Sequence, residues 1–298
     1  MSMRPKLKVV VTGGSGRVGA FVVKELLARG HEVINVDRRY PREPGGQFIY
    51  AQLTQREQVQ PILEKADAVC HLGEIPSVQS GASALEVWAE NTRAGAAVLQ
   101  TAADLKMKRV IYTSSCQAYG MWEGTSPALP QRLPFDETHP LAPGNAYAMG
   151  KAALEGYAKM LAERQGLSVA AFRLPWVMAE PYSESVVDHL RPKQTRTDGF
   201  ATYVHATDVA RAYALAIEHP RPGFEAYHFS AVEVLSIYPI APRLREHHPE
   251  FPPLPADWPA FKSPMLIGKA RDHFGWEPTW NLLDFYRAQH GEPGAVSS

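Results

Sequence analysis

The sequence is poor in cysteine, and it has no excess of charge of either sign. Its two cysteines, Cys70 and Cys116, fall in or beside apolar stretches. This position predicts buried free thiols in a reducing compartment, although the sequence leaves a disulfide between them open. The 31 basic residues balance the 31 acidic ones. A balanced charge gives no indication of nucleic acid or of a membrane surface as a partner.

Long apolar runs are also missing. No stretch has the apolar length that a bilayer crossing needs, and the first residues lack the apolar segment of a secretory signal. We therefore expect a cytoplasmic protein. A chain of 298 residues has room for one large α/β domain, or for a large and a small domain.

Strand and helix patterns alternate along the first two-thirds of the chain. We predict strands over Leu7–Val11, Val33–Val36, Ala68–Leu72, Arg109–Thr113 and Ser168–Leu174, and helices over Arg17–Arg29, Arg56–Glu64, Ala84–Leu105 and Asn145–Gln165. This alternation predicts an α/β fold of the Rossmann type, in which helices cover both faces of a doubly wound parallel sheet.

The final third is less regular, and most of the 25 prolines lie after position 125. Here we predict strands over Ala201–Val204 and Ala226–Phe229, a helix over Thr207–Glu218 capped at Thr207, a proline-rich span over Pro239–Pro264, and short helices over Met265–His273 and Trp280–Gln289. We expect a Rossmann domain over residues 1–174, to which residues 201–230 return. Residues 175–200 and 231–298 are expected to form a smaller, irregular region that covers the substrate, with a loose tail over 291–298.

A glycine-rich turn follows the first strand and precedes the first helix. Gly13, Gly16 and Gly19 recur at every third position, so that backbone can approach a pyrophosphate at the positive end of the helix. Asp37 ends the next strand about 20 residues on, where a carboxylate can accept both ribose hydroxyls. The pattern predicts a dinucleotide site. Asp37 favours NAD because it repels a 2′-phosphate, while Arg38 and Arg39 after it leave NADP open.

Tyr147 and Lys151 lie four residues apart on a predicted helix and therefore share a face. A free tyrosine has a pKa of about 10, and a nearby cation favours its phenolate. Ser114 and Ser115 end the preceding strand, at the sheet edge where open α/β sheets bind ligands. Tyr147 and Lys151, together with a hydroxyl of Ser114 or Ser115, are therefore candidates for acid–base catalysis.

In their order along the chain, these motifs resemble the extended short-chain dehydrogenases/reductases, in the NAD-dependent epimerase/dehydratase family. The resemblance runs from residue 7 to about 285 and rests on Val11–Gly19, His71-Leu72-Gly73, Asn91, Tyr112–Ser115 with Tyr119-Gly120, Pro143 before Tyr147 and Lys151, Phe172–Pro175, Tyr203–Ala210 and Phe274-Gly275-Trp276.

The resemblance implies roles for individual residues. Tyr147 is expected to accept or donate the proton, Lys151 to bind the nicotinamide ribose and lower the pKa of Tyr147, and Ser115 to be the catalytic serine. The expected cofactor contacts are Gly13, Gly16, Arg17, Val18, Asp37, Arg38, Leu53, Leu72, Gly73, Asn91, Thr113, Tyr147, Lys151 and Pro175. It also implies a homodimer built on the helices over Ala84–Leu105 and Asn145–Gln165. No metal site is predicted.

The sequence departs from the family pattern at three places along the chain. Gln52 precedes Leu53 where an aspartate is frequent, which leaves one adenine hydrogen bond open. Gly73 and Glu74 stand where two alanines are usual, and Glu74 could either enter the nicotinamide pocket or point into solvent. Cys116 and Gln117 stand where sugar dehydratases carry an Asp-Glu pair, so we predict that the protein is not a dehydratase.

The resemblance implies a small substrate, because only about 30 residues separate Arg173 from the Tyr203 segment, where nucleotide-sugar epimerases of this family usually have a longer insertion. Candidate substrate residues are Glu74, Ser115, Gln117, Arg173 and Trp176, with Trp122 and Tyr182 as further aromatics and His189, Arg191, Lys193 and Arg196 as a basic stretch. For Arg173 the alternative is pairing at the edge of the core, and for the basic stretch it is a solvated loop.

We predict first an NAD-dependent dehydrogenase acting on a hydroxyl or carbonyl of a small sugar or sugar acid. The alternative is an NAD-dependent epimerase of sugars or nucleotide sugars. A third hypothesis, a cofactor-sensing protein without catalysis, is disfavoured by the complete Ser115, Tyr147 and Lys151 set.

Overall fold

The computed structural model of the chain describes residues 6–76, 81–121, 127–179 and 198–291. The strands in these ranges are β1 (Lys8–Thr12), β2 (Glu32–Asp37), β3 (Gln47–Tyr50), β4 (Ala68–His71), β5 (Val110–Ser115), β6 (Val169–Leu174), β7 (Trp176–Met178), β8 (Tyr203–His205) and β9 (Phe224–His228). The α-helices are α1 (Gly19–Ala28), α2 (Arg56–Leu63), α3 (Ala84–Asp104), α4 (Ala146–Gln165), α5 (Ala206–Glu218), α6 (Ile240–His247), α7 (Gly268–Phe274) and α8 (Leu282–His290).

Seven parallel strands form the main sheet, in the order β3-β2-β1-β4-β5-β6-β9. The chain builds outward from β1 to β3, then crosses back and builds outward from β4 in the other direction. This reversal leaves a crevice beyond the carboxyl ends of β1 and β4, where Thr12 is in register with His71. Ligands of open α/β sheets bind at such a switch point.

Two apolar layers hold the sheet, one on each face. Along β1, Val9 and Val11 pack with α1 and α5 on one face, whereas Val10 packs with α2, α3 and α4 on the other. Successive strand side chains point to opposite faces, so a sheet covered on both sides needs an apolar residue at every position. This explains the unbroken Val9–Val11 run.

The ends of α4 are defined by two residues. The Asn145 side chain accepts a hydrogen bond from the backbone N–H of Ala148 at 2.8 Å, which starts the helix. Gly166 ends it in the left-handed conformation, at φ +71°. Because the helix starts at Ala146, Tyr147 lies in its first turn, near the carboxyl edge of the sheet.

The structure confirms the predicted fold class and the strand–helix order of the first two-thirds. It also corrects details. The α5 helix is capped by His205, whose ring accepts from the backbone N–H of Thr207, and Thr207 itself is not the cap. Of the two strands expected to return to the main sheet, β9 joins it and β8 pairs only with β7. Sequence patterns missed the short strands β3 and β7, and they missed α6 inside the proline-rich span.

The described residues bear on three features: a membrane-spanning helix, a disulfide and a metal site. None of the helices in the described ranges has the length and hydropathy that a membrane crossing requires. Cys70 and Cys116 are both buried and free, so the disulfide left open by the sequence does not form. Those same ranges contain no group of three or more histidine, cysteine or carboxylate side chains arranged to hold a metal ion.

We expect Gly19→Ala to destabilise the fold, because a Cβ atom at this position would overlap the carbonyl oxygen of Gly13 and the Cα atom of Gly14. Urea unfolding should show a loss of about 2 kcal/mol or more. Gly268→Ala is the matched control, since the nearest atom to its added Cβ lies 3.9 Å away on the Arg271 side chain. Equal stability of the two variants would contradict this view of the turn.

Candidate active site

The glycine-rich turn packs directly against the chain that leaves β4. Gly13 has φ +70°, and a Cβ atom on it would lie 2.7 Å from the Cα atom of Gly73. On the other side, the Leu53 side chain fills the space that a Cβ atom of Gly73 would need. The Thr12 hydroxyl accepts hydrogen bonds from the backbone N–H groups of Leu72 and Gly73, both at 3.2 Å. Predicted cofactor residues from three separate segments therefore meet in one place.

The N-terminus of α1 has the features of an anion-binding site. Its N-cap residue, Val18, provides no side-chain cap, and the first turn contains no acidic residue. The N–H groups and the positive end of the helix are thus not neutralised by a carboxylate of the first turn. Together with the close backbone packing at Gly13, this arrangement fits the pyrophosphate of a dinucleotide.

Asp37 lies beside this turn, at the end of β2. Its carboxylate accepts hydrogen bonds from the backbone N–H of Ser15 at 3.1 Å and of Arg39 at 3.0 Å. Arg38 instead turns to α3 and forms an ion pair with Glu90 at 2.9 Å. A carboxylate at the turn and an arginine engaged elsewhere fit an unphosphorylated ribose better than a 2′-phosphate.

Other predicted cofactor residues frame the crevice. The Arg17 guanidinium donates to the carbonyl oxygen of Val177 at 2.7 Å and so joins the turn to β7. Pro175 is buried where the chain passes from β6 to β7. On α3, the Asn91 amide exchanges two hydrogen bonds, of 2.8 and 2.9 Å, with the backbone of Ile75. Asn91 therefore fixes the segment that follows Gly73.

Tyr147 and Lys151 come together beneath the ends of β4 and β5. The Lys151 ammonium lies 5.3 Å from the centre of the Tyr147 ring and donates to the carbonyl oxygen of Thr113 at 2.5 Å. The Thr113 hydroxyl in turn donates to the carbonyl oxygen of His71 at 2.5 Å. The i, i+4 spacing thus brings both catalytic candidates to the carboxyl edge of the sheet.

Ser115 ends β5 beside this pair, and its hydroxyl accepts from the backbone N–H of Gln117 at 3.2 Å. Burial raises the pKa of Tyr147, and the Glu74 charge raises it further, while Lys151 and a hydrogen bond to Ser115 lower it. The net direction is upward, so Tyr147 is a phenol in this state of the protein. A serine hydroxyl, a phenol and an ammonium thus lie together at this edge, and such a set is chemically able to transfer a proton at a substrate oxygen.

Glu74 turns inward and contacts the Lys151 ammonium, so the solvent-facing alternative for this residue is wrong. Both side chains are only 4% exposed. Burial raises the pKa of Glu74, and Lys151 offsets part of that rise. Burial acts to lower the pKa of Lys151, but the carboxylate against it raises the pKa overall. A buried ion pair therefore forms the floor of the candidate site.

Arg173 does not face a substrate, which corrects the prediction that it binds one. It is 6% exposed, and its Nε and Nη2 donate hydrogen bonds to the carboxylate of Glu155 on α4, at 3.0 and 2.7 Å. Its Nη1 donates to the Tyr119 hydroxyl and to the carbonyl oxygen of Glu137, both at 2.8 Å. Pairing at the edge of the core, the alternative reading, is what the structure has.

The other predicted substrate residues are less defined. Gln117 is partly exposed in the 3₁₀ turn Cys116–Tyr119 that follows Ser115, and Trp176 is 39% exposed on β7. Trp122, Tyr182 and the basic stretch His189, Arg191, Lys193 and Arg196 lie outside the described residues, as does most of the tail predicted over 291–298.

Sequence reasoning missed Glu155, which anchors the catalytic helix. Its carboxylate accepts from the Ser114 hydroxyl at 2.5 Å as well as from Arg173. A signal was present, because Glu155 follows Lys151 by four residues and so lies on the inward face of α4. A charged residue on an inward face requires a buried partner.

Comparison with known proteins gives the same family as the motifs. The sequence profile described as the NAD dependent epimerase/dehydratase family matches residues 9–231. A UDP-glucose 4-epimerase of Lacticaseibacillus casei is 25% identical over 323 aligned positions, which cover 93% of this chain and 94% of the relative. Cinnamoyl-CoA reductase 1 of Oryza sativa subsp. japonica is 29% identical over 273 positions, which cover 83% of this chain and 78% of the relative.

Solved structures support the fold. The structure of MoeE5 in complex with UDP-glucuronic acid and NAD is similar with a TM-score of 0.70 at 23% identity, covering 92% of this chain and 95% of that one. A UDP-N-acetylglucosamine 4-epimerase from Bacillus cereus is similar with a TM-score of 0.71 at 19% identity, covering 93% and 96%. At these identities the likeness establishes the architecture.

We expect Arg173→Met to lower the free energy of unfolding by about 3 to 5 kcal/mol, because it leaves Glu155 as an unpaired buried charge. The double variant Glu155→Met with Arg173→Met should recover part of that loss. Arg132→Met is the control: it removes an ion pair to Asp136 whose side chains are 43% and 42% exposed, and it should cost about 1 kcal/mol or less. Denaturant unfolding measures all three, and a double variant less stable than Arg173→Met would refute the pairing argument.

Proposed function

Because the chain belongs to the NAD-dependent epimerase/dehydratase family, its cofactor is NAD, and we propose that it epimerises a hydroxyl-bearing carbon of a sugar-like substrate. The observation that carries this proposal is the convergence of Ser115, Tyr147 and Lys151 at the sheet edge beside the glycine-rich turn. When bound, NAD supplies a hydride acceptor that can return the hydride within the same cycle.

The side chains divide the proton chemistry between them. As a phenolate, Tyr147 is placed to take the proton of a substrate hydroxyl during oxidation, and as a phenol it can give the proton back during reduction. The Ser115 hydroxyl orients the same substrate oxygen, and the Lys151 ammonium stabilises the phenolate form of Tyr147. No other acid–base residue is needed for an oxidation and its reversal.

The residues around the turn would hold the cofactor. Gly13 and Gly16 leave room for the pyrophosphate at the start of α1, and the Asp37 carboxylate suits the adenosine ribose hydroxyls. Lys151 suits the nicotinamide ribose. The Arg38–Glu90 ion pair supports the choice of NAD over NADP, because it engages one of the two arginines after Asp37 that are candidates for a 2′-phosphate.

The sequence placed a dehydrogenase first and an epimerase second, and the relatives reverse this order. The relative that aligns along nearly the whole chain is a UDP-glucose 4-epimerase. A dehydrogenase remains the second candidate, because Ser115, Tyr147 and Lys151 serve a simple oxidation as well as an epimerisation. The alignment with that relative spans 323 positions, more than the 298 residues of this chain, so this chain lacks segments that the relative has.

The segments that this chain lacks relative to the epimerase concern the size of the substrate. We propose a small sugar-like molecule, a nucleotide sugar being the larger option supported by the relatives. Residues 175–200 and 231–298 would form the region that covers it, over the Rossmann domain of residues 1–174 and 201–230. The short link between β6 and β8 supports the smaller substrate.

The test is to incubate the protein with NAD and a panel of sugars, uronic acids and UDP-sugars, and to follow both NADH absorbance and product stereochemistry. Conversion between epimers without accumulation of free NADH supports the epimerase. NADH formed in equal amount with an oxidised product overturns it in favour of the dehydrogenase.

Tyr147→Phe should lower turnover about 100-fold or more, because no other group can exchange the substrate proton. It should leave NAD binding intact, as measured by fluorescence titration. Tyr157→Phe is the control on the same helix, since the Tyr157 hydroxyl bonds only Gln100 among the described side chains. Full activity in Tyr147→Phe would show that the mechanism is wrong.

We also propose that the protein is a homodimer built on α3 and α4. These helices pack on the same face of the sheet, and together they expose Leu85, Trp88, Met149 and Met160, at 75%, 36%, 45% and 39%. Exposed apolar side chains on adjoining helices favour a partner, and a second copy of the same face is the simplest one.

Met149→Lys with Met160→Lys should halve the mass measured by sedimentation velocity, because it places charges in the proposed interface. Tyr40→Lys replaces a side chain that is 79% exposed elsewhere, and this control should not change the mass. A monomeric parent protein would exclude the dimer.

A cytoplasmic location stays a proposal, and the two thiols support it. Cys70 and Cys116 are buried and free, as in proteins of reducing compartments. Burial raises the pKa of the Cys70 thiol, which leaves it unreactive.

A further inference from the structure

Glu74 places a carboxylate where the family resemblance predicts an uncharged alanine. Two contacts direct it inward. A tight turn, in which the backbone N–H of Glu74 donates to the carbonyl oxygen of Leu72 at 2.9 Å, reverses the chain after β4. Asn91 then fixes the backbone of Ile75. The carboxylate meets the Lys151 ammonium, and both side chains are 4% exposed.

His71 lies on the other side of this carboxylate, and its tautomer follows from its partners. The Thr12 hydroxyl accepts two backbone N–H groups, so its own hydrogen is donated to Nδ1 of His71 at 2.7 Å. Nδ1 is therefore the acceptor, and Nε2 carries the proton. That N–H lies 3.7 Å from Oε1 of Glu74, and neither atom has a hydrogen-bond partner among the described residues.

The side chains around Glu74 differ in whether they are charged. Burial, and then Lys151, lower the pKa of His71 to about 3, so its ring is neutral. Burial raises the pKa of Tyr112 and of Tyr147, so both are phenols. Glu74 and Lys151 are then the two charged side chains of this cluster. The carboxylate cancels a positive charge that the site would otherwise carry.

This cancellation matters for a cofactor that changes charge. NAD⁺ and NADH have nearly the same shape, but the oxidised nicotinamide carries one more positive charge. Under the proposed function, Lys151 contacts the nicotinamide ribose, and Glu74 is in direct contact with Lys151. Charges buried this deeply are poorly screened by solvent or salt.

We propose that Glu74 is a specificity-determining residue that makes the nicotinamide pocket prefer NAD⁺ over NADH. The inference rests on the proposed function, because it assumes that the nicotinamide ribose lies at Lys151. The carboxylate changes the ratio of the affinities for NAD⁺ and NADH. It does not change the contacts of the site with the adenosine half of the cofactor.

The experiment measures dissociation constants of NAD⁺, NADH and ADP-ribose by isothermal titration calorimetry for the parent protein, Glu74→Gln and Glu74→Asp. In Glu74→Gln the ratio Kd(NADH)/Kd(NAD⁺) should fall about tenfold, as expected for loss of one nearby charge at low dielectric. Glu74→Asp keeps the charge and should retain most of the ratio. ADP-ribose has no nicotinamide, and its binding should stay unchanged.

A structural role for Glu74 would weaken all three ligands together, and an unchanged ratio would therefore overturn the proposal. Glu74→Ala, the residue that the resemblance predicts here, replaces Glu74→Gln if that variant does not fold. Failure of the proposed function would look different: Tyr147→Phe would keep full turnover while the ratio still depended on Glu74. A parent protein that binds neither NAD⁺ nor NADH would overturn both.

Discussion

The buried ion pair between Arg173 and Glu155 is the contact on which the position of the active site depends. It joins α4, the helix that carries Tyr147 and Lys151, to β6 at the carboxyl edge of the sheet. The Ser114 hydroxyl donates to the same carboxylate from β5. Since α4 is held to two strands at one point, the catalytic side chains one and two turns earlier come to lie over the ends of β4 and β5.

The two buried ion pairs of this region differ in how completely they are satisfied. Both oxygens of Glu155 accept hydrogen bonds, and Arg173 is held by three residues. In the second pair, Oε1 of Glu74 and the neighbouring N–H of His71 have no hydrogen-bond partner in the part of the chain that the structure describes. Buried polar atoms in native proteins are usually paired, and the exceptions concentrate at functional sites. The first pair therefore serves the fold, and the second belongs to the chemistry of the site.

Local spacing was enough to predict the parts of the site that lie on one element or one turn. Gly13 to Gly19 and the Tyr147–Lys151 pair were recognised because glycine geometry and helix periodicity act over a few residues. The sequence leaves Arg173 between substrate binding and pairing at the core edge, because its partner, Glu155, is 18 positions away and only the packing of α4 on β6 brings them together. The inward turn of Glu74 depends on Asn91, which is equally remote in sequence.

The two candidate functions require different affinities for NADH, and the charge of Glu74 affects that affinity. An epimerase must keep NADH bound until the hydride returns, so it gains from holding both cofactor states firmly. A dehydrogenase must release NADH, so it gains from a pocket in which the reduced form is held less tightly than the oxidised form. A carboxylate that favours NAD⁺ weakens NADH relative to it and makes the return of the hydride to the substrate more favourable. Under the proposal for Glu74, this preference suits the proposed epimerisation, in which the hydride goes back to the substrate in every cycle.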